Sequence, residues 1–240
     1  MTQQPKYAAS VSFGKDSAAM LLKIMEKGMP LDKVVFYDTG AEFQAIYNVR
    51  DQLLPAIREY GAEYVELKPK RPFFYDMLEK PVKCRNGETK RGYKWCGGAC
   101  RWGTAAKVAA LDRETKGFFV YVGIAADEAH RIIKEREANK LLPLVDFGMS
   151  EADCLAYCRE SGISWEENGV DLYGVLDRVS CWCCRNKNLK ELRGIYENLP
   201  EYWKKLVSLE TQIGESMKTS ATLPMLAAVW DEDNKQMKLF

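Results

Sequence analysis

Two groups of residues in this chain have the types and spacing to do chemistry. The first is SVSFGKDSAAM at residues 10–20, where Ser12, Phe13, Lys15, Asp16 and Ser17 crowd around Gly14. A glycine lets the backbone turn tightly and come close to a ligand. The amides of residues 14–17 open a helix, where the dipole and the unpaired N–H groups favour an anion. Ser12 and Ser17 add hydroxyls, and Lys15 adds a point charge suited to phosphate. The Walker spacing G-x-x-x-x-G-K-S/T is absent, so the segment is either a different phosphate turn or an ordinary strand-to-helix junction.

The second group is thiol. KWCGGACRW places Cys96 and Cys100 around Gly97 and Gly98, and SCWCCR places Cys181, Cys183 and Cys184. The 181/184 pair has the C-x-x-C spacing that chelates one metal, and two such pairs make a four-thiolate site if the fold unites them. Zn²⁺ would give a closed tetrahedral site, and a 4Fe–4S cluster takes the same four ligands. The nearby Trp95, Trp102 and Trp182 do not choose between them, and free cysteine is also often a small buried hydrophobe. Cys183 is the extra thiol, able to replace either neighbour as a ligand or to react. Cys154 and Cys158, at i and i+4 on an amphipathic pattern, read as core packing. Cys84 lies in a basic, glycine-containing loop, which suits a fifth ligand, a sulfur carrier or an incidental exposed thiol. The single histidine, His130, reads as a solvated helix residue.

Composition bounds what surrounds these groups. With 240 residues and 47% hydrophobic composition, one α/β domain with a sizeable core is expected. A net charge of +1 from 35 basic and 34 acidic residues gives no bulk reason for a nucleic-acid or membrane partner. Local basic runs exist at 68–72, 83–94 and 101–107, interleaved with Phe73, Phe74, Tyr75, Tyr93 and Trp95. They resemble a base-stacking surface, although a solvated charged loop is the commoner use of such runs. No apolar run approaches the roughly 20 residues needed to span a bilayer, and MTQQPKYAAS lacks the apolar core of a signal peptide. The expected location is cytoplasmic, where eight cysteines point to metal or catalysis before disulfides.

The elements that must position these groups alternate. Strands are expected at 7–13, 34–40, 64–69 and 117–125, and helices at 16–27, 41–60, 101–116 and 150–160, the last with Ser150 and Asp153 as a capping box. Residues 70–98 read as a long, partly ordered loop, and two helices follow Asn188. Such alternation predicts a doubly wound, mostly parallel sheet with a C-terminal helical extension. The division expected is 1–185, with a cysteine-rich loop at 82–103, and 186–240. SFGKDS, DTGAE and ADEAHR each follow a strand, so they should converge beyond the strands' carboxyl ends, where such sheets bind ligands.

SFGKDS resembles the S-G-G-K-D-S loop of the PP-loop ATP pyrophosphatases, with Phe13 in place of a glycine. DTGAEF at 38–43, GIAADEAHR at 123–131, LLPLVDFGMSEADCLAYCRESGI at 141–163 and LYGVLDRVSCWCC at 172–184 resemble the phosphoadenosine phosphosulfate (PAPS) reductase branch in the right order. WCGGACRWGT and SCWCC are similar to motifs of a bacterial and phage subgroup. The resemblance implies an adenine-nucleotide site: Ser12, Phe13, Gly14, Lys15, Asp16 and Ser17 on the phosphates, with Asp38, Thr39, Gly40 and Gly123 close to the nucleotide. Asp127, Glu128 and Arg131 would approach from the third strand end. It further implies ATP with Mg²⁺, for which Asp16 is a candidate carboxylate, and a 4Fe–4S cluster or Zn²⁺ on Cys96, Cys100, Cys181 and Cys184.

Two departures matter. Assimilatory PAPS reductases carry a nucleophilic cysteine in an E-C-G-x-H segment, whereas here no cysteine follows Cys184; and Ala125 stands where the branch has an arginine. Both shift the expectation toward an enzyme that splits ATP to AMP and pyrophosphate to activate an acceptor, with sulfur transfer as one use. A thiol-dependent, sulfite-forming sulfonucleotide reductase and a non-catalytic nucleotide-binding phage or defence component are the alternatives. The expected partners are an adenine nucleotide and an acceptor, either a small molecule or a nucleic acid, with no membrane; a homodimer is left open.

Overall fold

The computed structural model describes residues 4–134 and 138–237. In chain order the elements are β1 (Lys6–Val11), α1 (Lys15–Glu26), β2 (Lys33–Tyr37), α2 (Gln44–Glu59), β3 (Glu63–Leu67), α3 (Phe73–Leu78), β4 (Pro81–Lys83) and β5 (Thr89–Arg91). A π-helical turn, Arg101–Ala105, leads into α4 (Ala106–Glu114), β6 (Phe118–Val122), α5 (Ala129–Lys134), β7 (Lys140–Leu141), α6 (Pro143–Asp146) and α7 (Glu151–Glu160). Then come β8 (Glu166–Glu167), β9 (Val170–Asp171), α8 (Leu172–Val175), α9 (Leu189–Asn198), α10 (Pro200–Ile213) and α11 (Leu223–Met237).

The chain forms two compact units, residues 1–68 with 106–166, and residues 69–105 with 167–240. The first holds a five-stranded sheet of order β3-β2-β1-β6-β7, every pair of which is parallel. It is the expected α/β sheet. Ser10 is in register with Val35 on one side and Val122 on the other, so the ends of β1, β2 and β6 stand side by side. From β1 the chain winds outward through β2 to β3, then returns to lay β6 on the other side of β1. That reversal is the topological switch point, where doubly wound sheets open a crevice.

The core explains why these segments are strands and helices. Ala8, Ala9, Val34, Val35 and Phe36 are buried at 0–1% exposure, as expected of a sheet covered on both faces. α1 buries Leu21 and Ile24, each contributing about 1.5–3 kcal/mol. α7 starts on the expected capping box: the Ser150 side chain accepts from Asp153 N–H while Asp153 accepts from Ser150 N–H.

Several expectations are corrected. The first strand ends at Val11 and the second at Tyr37, short of the predicted 13 and 40, because the backbone turns into left-handed geometry at Phe13 (φ +56) and Gly40 (φ +75). Residues 70–98 are not a loop; they contain α3 and the antiparallel β4–β5 hairpin. The C-terminal region has α8 and a third long helix, α11, besides the two expected. The segments 82–103 and 167–185 group with the C-terminal helices rather than with the sheet. Among the described residues no helix is long and apolar enough to cross a membrane.

Candidate functional site

The turn after β1 is shaped by backbone constraints. Phe13 has φ +56, left-handed geometry that an L-residue adopts at a cost. It is held there by complete burial, an edge-on contact with Phe36 at 5.1 Å and the Trp165 indole N–H, which donates to the Phe13 carbonyl at 2.7 Å. Gly14 then caps α1 with no side-chain hydrogen bond. The first helical bond is Ala18 N–H to Gly14 O at 2.9 Å, which leaves the amides of residues 15–17 outside the intrahelical ladder. Ser12 and Ser17 are turned inward: the two hydroxyl oxygens lie 3.1 Å apart, Ser17 Oγ donates to Gly14 O, and Ser12 N–H donates to Ser17 Oγ. Here they build the turn.

Gly123, expected near the nucleotide, has a steric role. A Cβ there would lie 2.9 Å from Ser17 Cα and 3.0 Å from Ser17 N, so β6 and the start of α1 approach backbone to backbone. Gly123→Ala should therefore push the turn aside by several tenths of an ångström, at a cost of about 1–3 kcal/mol. A thermal midpoint about 2–12 °C lower checks this; an unchanged midpoint would contradict it.

Lys15 is only 7% exposed. Its ammonium donates to Asp16 Oδ1 at 2.9 Å and to Glu151 Oε2 at 2.5 Å. Burial pulls its pKa down, but Glu151 and Asp16 outweigh that and raise it, so the lysine is a fixed cation. Burial raises the Asp16 pKa; Lys15 opposes this, while the charges of Glu151 and Glu128 add to it. Glu151 was not foreseen. Its only mark in the sequence is its place directly after a helix-capping serine, where an acid ordinarily serves the dipole.

The other strand ends follow suit. Asp38 Oδ1 accepts from Gly40 N–H at 2.8 Å and from the Tyr47 hydroxyl at 2.7 Å, and Lys68 stands 4.0 Å from its Oδ2. Burial, then Asp38, pushes the Tyr47 phenol pKa up. Thr39 donates to Glu42 at 2.8 Å and accepts from Ala41 N–H. Past β6, Asp127 Oδ1 accepts from Glu151 N–H at 3.0 Å, which anchors the start of α7 and with it the carboxylate on Lys15. Glu128 receives Arg131 Nη1 on both oxygens, at 2.8 and 2.7 Å. His130 is exposed on α5. The structure thus links Lys15, Asp16, Ser17, Gly123, Asp127 and Glu151 around the β1–β6 crevice, with Asp38, Thr39 and Gly40 one strand away. A cavity of about 480 Å³ lies elsewhere, lined by Lys23, Lys27, Phe147, Met149 and Tyr157 among others, and takes in none of these residues.

Cys154 and Cys158 are fully buried, as core packing requires. Cys158 Sγ donates to Lys15 O at 3.5 Å, and burial pushes both thiols up to about 12. Titration of the native protein with a thiol reagent near pH 8 should leave both unmodified until denaturant is added. Rapid native labelling of either would contradict their placement.

The remaining cysteines belong to the second unit. Asn186 ties their two loops together, accepting from Gly98 N–H at 2.8 Å and donating to Gly98 O at 2.9 Å. Cys184 N–H donates to Cys181 O at 3.1 Å, folding the C-x-x-C into a turn. Cys100 Sγ accepts from Gly103 N–H at 3.3 Å. Trp182 packs between Phe74 and Tyr202, at 5.6 and 6.3 Å, while the Trp102 side chain lies outside the described residues. Lys187, 2% exposed, has its pKa lowered by burial against the raising effect of Glu191, Cys184, Cys181 and Cys183. Cys84 sits half-buried at the tip of the β4–β5 hairpin. Among the described residues no group of three or more His, Cys, Asp or Glu side chains is gathered closely enough to hold a metal ion. The loops meet, but the thiols do not converge.

A five-stranded parallel sheet with a tight turn at its switch point defines the doubly wound α/β class. The phosphoadenosine phosphosulfate reductase domain model matches residues 6–163, and the chain belongs to that family. An uncharacterized protein of Methanocaldococcus jannaschii is 26% identical over 206 residues, 81% of this chain and 39% of that protein; the chain thus spans well under half of that relative's length. Among solved structures, a U34-tRNA thiolase, NcsA, of Methanococcus maripaludis with its 4Fe–4S cluster is similar over 88% of this chain and 72% of its own, at 14% identity and a TM-score of 0.46.

Proposed function

We propose that the protein binds ATP at the β1–α1 turn and cleaves it between the α and β phosphates to activate an acceptor. The acceptor oxygen attacks the α phosphorus and gives up its proton, the bond to the β-phosphate oxygen breaks, and pyrophosphate leaves with that electron pair. AMP on the acceptor then makes its oxygen a leaving group, which sulfur can replace. The observation that carries this reading is Lys15, a buried cation fixed at the open N-terminus of α1 at the switch point of the sheet. Such a cation, with the amides beside it, stabilises charge that grows on the departing phosphates.

Oxygen donors suit Mg²⁺, which usually takes one or two carboxylates plus substrate phosphates and water. Asp16 is the carboxylate at the turn, and the neighbouring charges of Glu128 and Glu151 favour a cation beside it. Mg²⁺ would supply neutralisation of the pyrophosphate. For the second site the donor set is thiolate: Cys96, Cys100, Cys181 and Cys184 would hold Zn²⁺ or a 4Fe–4S cluster, a closed structural site or a redox-active one, only once drawn together from the spacing they have here, where no three of them are gathered. Protein purified without oxygen and lacking stoichiometric zinc or iron would remove that part.

The test of the main reading is pyrophosphate release from ATP. A second reading, reduction of a sulfonucleotide to sulfite, is favoured by the family match over residues 6–163, and sulfite release with a thiol donor would select it. Protein that binds ATP but forms neither product would leave only nucleotide binding, and absence of ATP binding would overturn the proposal.

A further inference from the structure

The geometry points to the β4–β5 hairpin as a docking surface for the phosphodiester backbone of a nucleic-acid strand. Residues 80–91 carry five cations, Lys80, Lys83, Arg85, Lys90 and Arg91, against the single carboxylate of Glu88, in a chain whose net charge is only +1. Lys83, Arg85, Lys90 and Arg91 are exposed. Among the described residues no carboxylate forms an ion pair with any of these four, whereas Lys80 is tied to Asp76 at 3.1 Å and Lys94 to Glu215.

A charge run in a loop is usually a solvated face, but this one is pinned. Gly92 N–H donates to Lys80 O at 2.8 Å, Lys94 N–H to Met77 O at 2.9 Å and Tyr93 N–H to Asp76 O at 3.0 Å, stitching the hairpin onto α3. At Gly92 a Cβ would come within 2.2 Å of Met77 O, so the contact is backbone on backbone. The tip is closed by Cys84 N–H to Glu88 O at 2.7 Å and Gly87 N–H to Cys84 O at 3.1 Å. Cations held on a rigid frame lose little freedom on binding.

The register distributes them. Arg91 faces Pro81 and Lys83 faces Thr89, while Lys90 faces Val82. Directly opposed residues share a face and alternate along the strand, so Lys83 and Arg91 lie on one face, Lys90 on the other, and Arg85 at the tip. Charge spread around a ribbon suits a long polyanion better than one small anion. Among the described residues, none of the exposed large hydrophobic side chains falls on the hairpin, so it offers no apolar anchor for a lipid surface. The inference stands apart from the ATP reading, and either can fail alone.

The experiment is fluorescence anisotropy with labelled single strands of about 20 nucleotides, one RNA and one DNA of the same mixed sequence, between roughly 50 and 200 mM salt. Wild-type protein should bind, with affinity falling as salt rises, by a slope of about −0.7 per neutralised phosphate. The fourfold variant K83A/R85A/K90A/R91A should lose at least about tenfold in affinity and flatten the slope by up to about 3. The charge-preserving K83R/K90R should bind like wild type, and an unchanged thermal midpoint and circular-dichroism spectrum would show the fourfold variant folded. Equal binding of both strands means that the backbone alone is read, and preference for one strand identifies the source. Failure of wild type to bind either strand, equal binding by the fourfold variant, or capture by anionic phosphatidylserine vesicles instead of the strands would overturn the proposal.

Discussion

Lys15→Ala should weaken ATP binding by about 10- to 100-fold, and Glu151→Gln should strengthen it several-fold, both read by calorimetry. The first magnitude follows from losing one charge-assisted contact to phosphate, about 1.5–3 kcal/mol. The second follows from position. Glu151 and Asp16 occupy the Lys15 ammonium, so an arriving polyphosphate meets a lysine whose charge is offset by two carboxylates. Glutamine still accepts a hydrogen bond from Lys15, which keeps the cation in place, while the repulsion of one full charge disappears. At an effective dielectric between protein surface and water, that repulsion is about 1–3 kcal/mol over 5–6 Å, before salt screens it. Opposite signs for two residues in one ion pair are what an anion cradle demands. ATP affinity untouched by Lys15→Ala would remove the cradle. A Glu151→Gln loss as large as that of Lys15→Ala would make Glu151 a positioning residue instead of a competitor.

The parallel sheet and the common edge of the three turns that follow β1, β2 and β6 were legible because both follow from local signals. Short β-branched and aromatic runs such as VVFY and FFVYV suit strands of a largely covered sheet, and a helix between parallel strands fixes the direction of each. What escaped was long-range pairing. Nothing near Lys15 in sequence marks Glu151, brought to it by α7 136 positions later, and nothing near Gly98 marks Asn186. Asp127, expected to approach a nucleotide, also accepts an α7 amide, a contact that no local signal marks. Gly123, expected close to the nucleotide, is also a point of close packing against the start of α1. Residues 70–98 were unreadable as structure because α3, β4 and β5 are only six, three and three residues long. Elements that short show no period, and turn bonds and one close glycine contact hold them.

Phe13 yields the other large effect, and it reverses an ordinary rule. Truncating a fully buried phenylalanine costs about 3–5 kcal/mol, and at most positions glycine is about 0.5–1 kcal/mol worse than alanine because of its unfolded-state freedom. Here the residue sits at φ +56, where any Cβ is strained by roughly 1–2 kcal/mol. Alanine would lose the aromatic packing and keep that strain; glycine would lose the same packing and release it. Urea denaturation should therefore rank wild type first, Phe13→Gly second and Phe13→Ala last, with about 1 kcal/mol between the two variants. The Trp165 indole bond reaches a backbone carbonyl that both variants retain, so it does not separate them. The ranking also explains how a phenylalanine can stand where the resembling loops carry glycine. The turn needs the left-handed backbone first, and here Phe36 and the surrounding core hold a bulky side chain in a geometry that its own Cβ resists. If Phe13→Ala proved the more stable variant, the left-handed turn would cease to be the feature that places the α1 amides at the crevice.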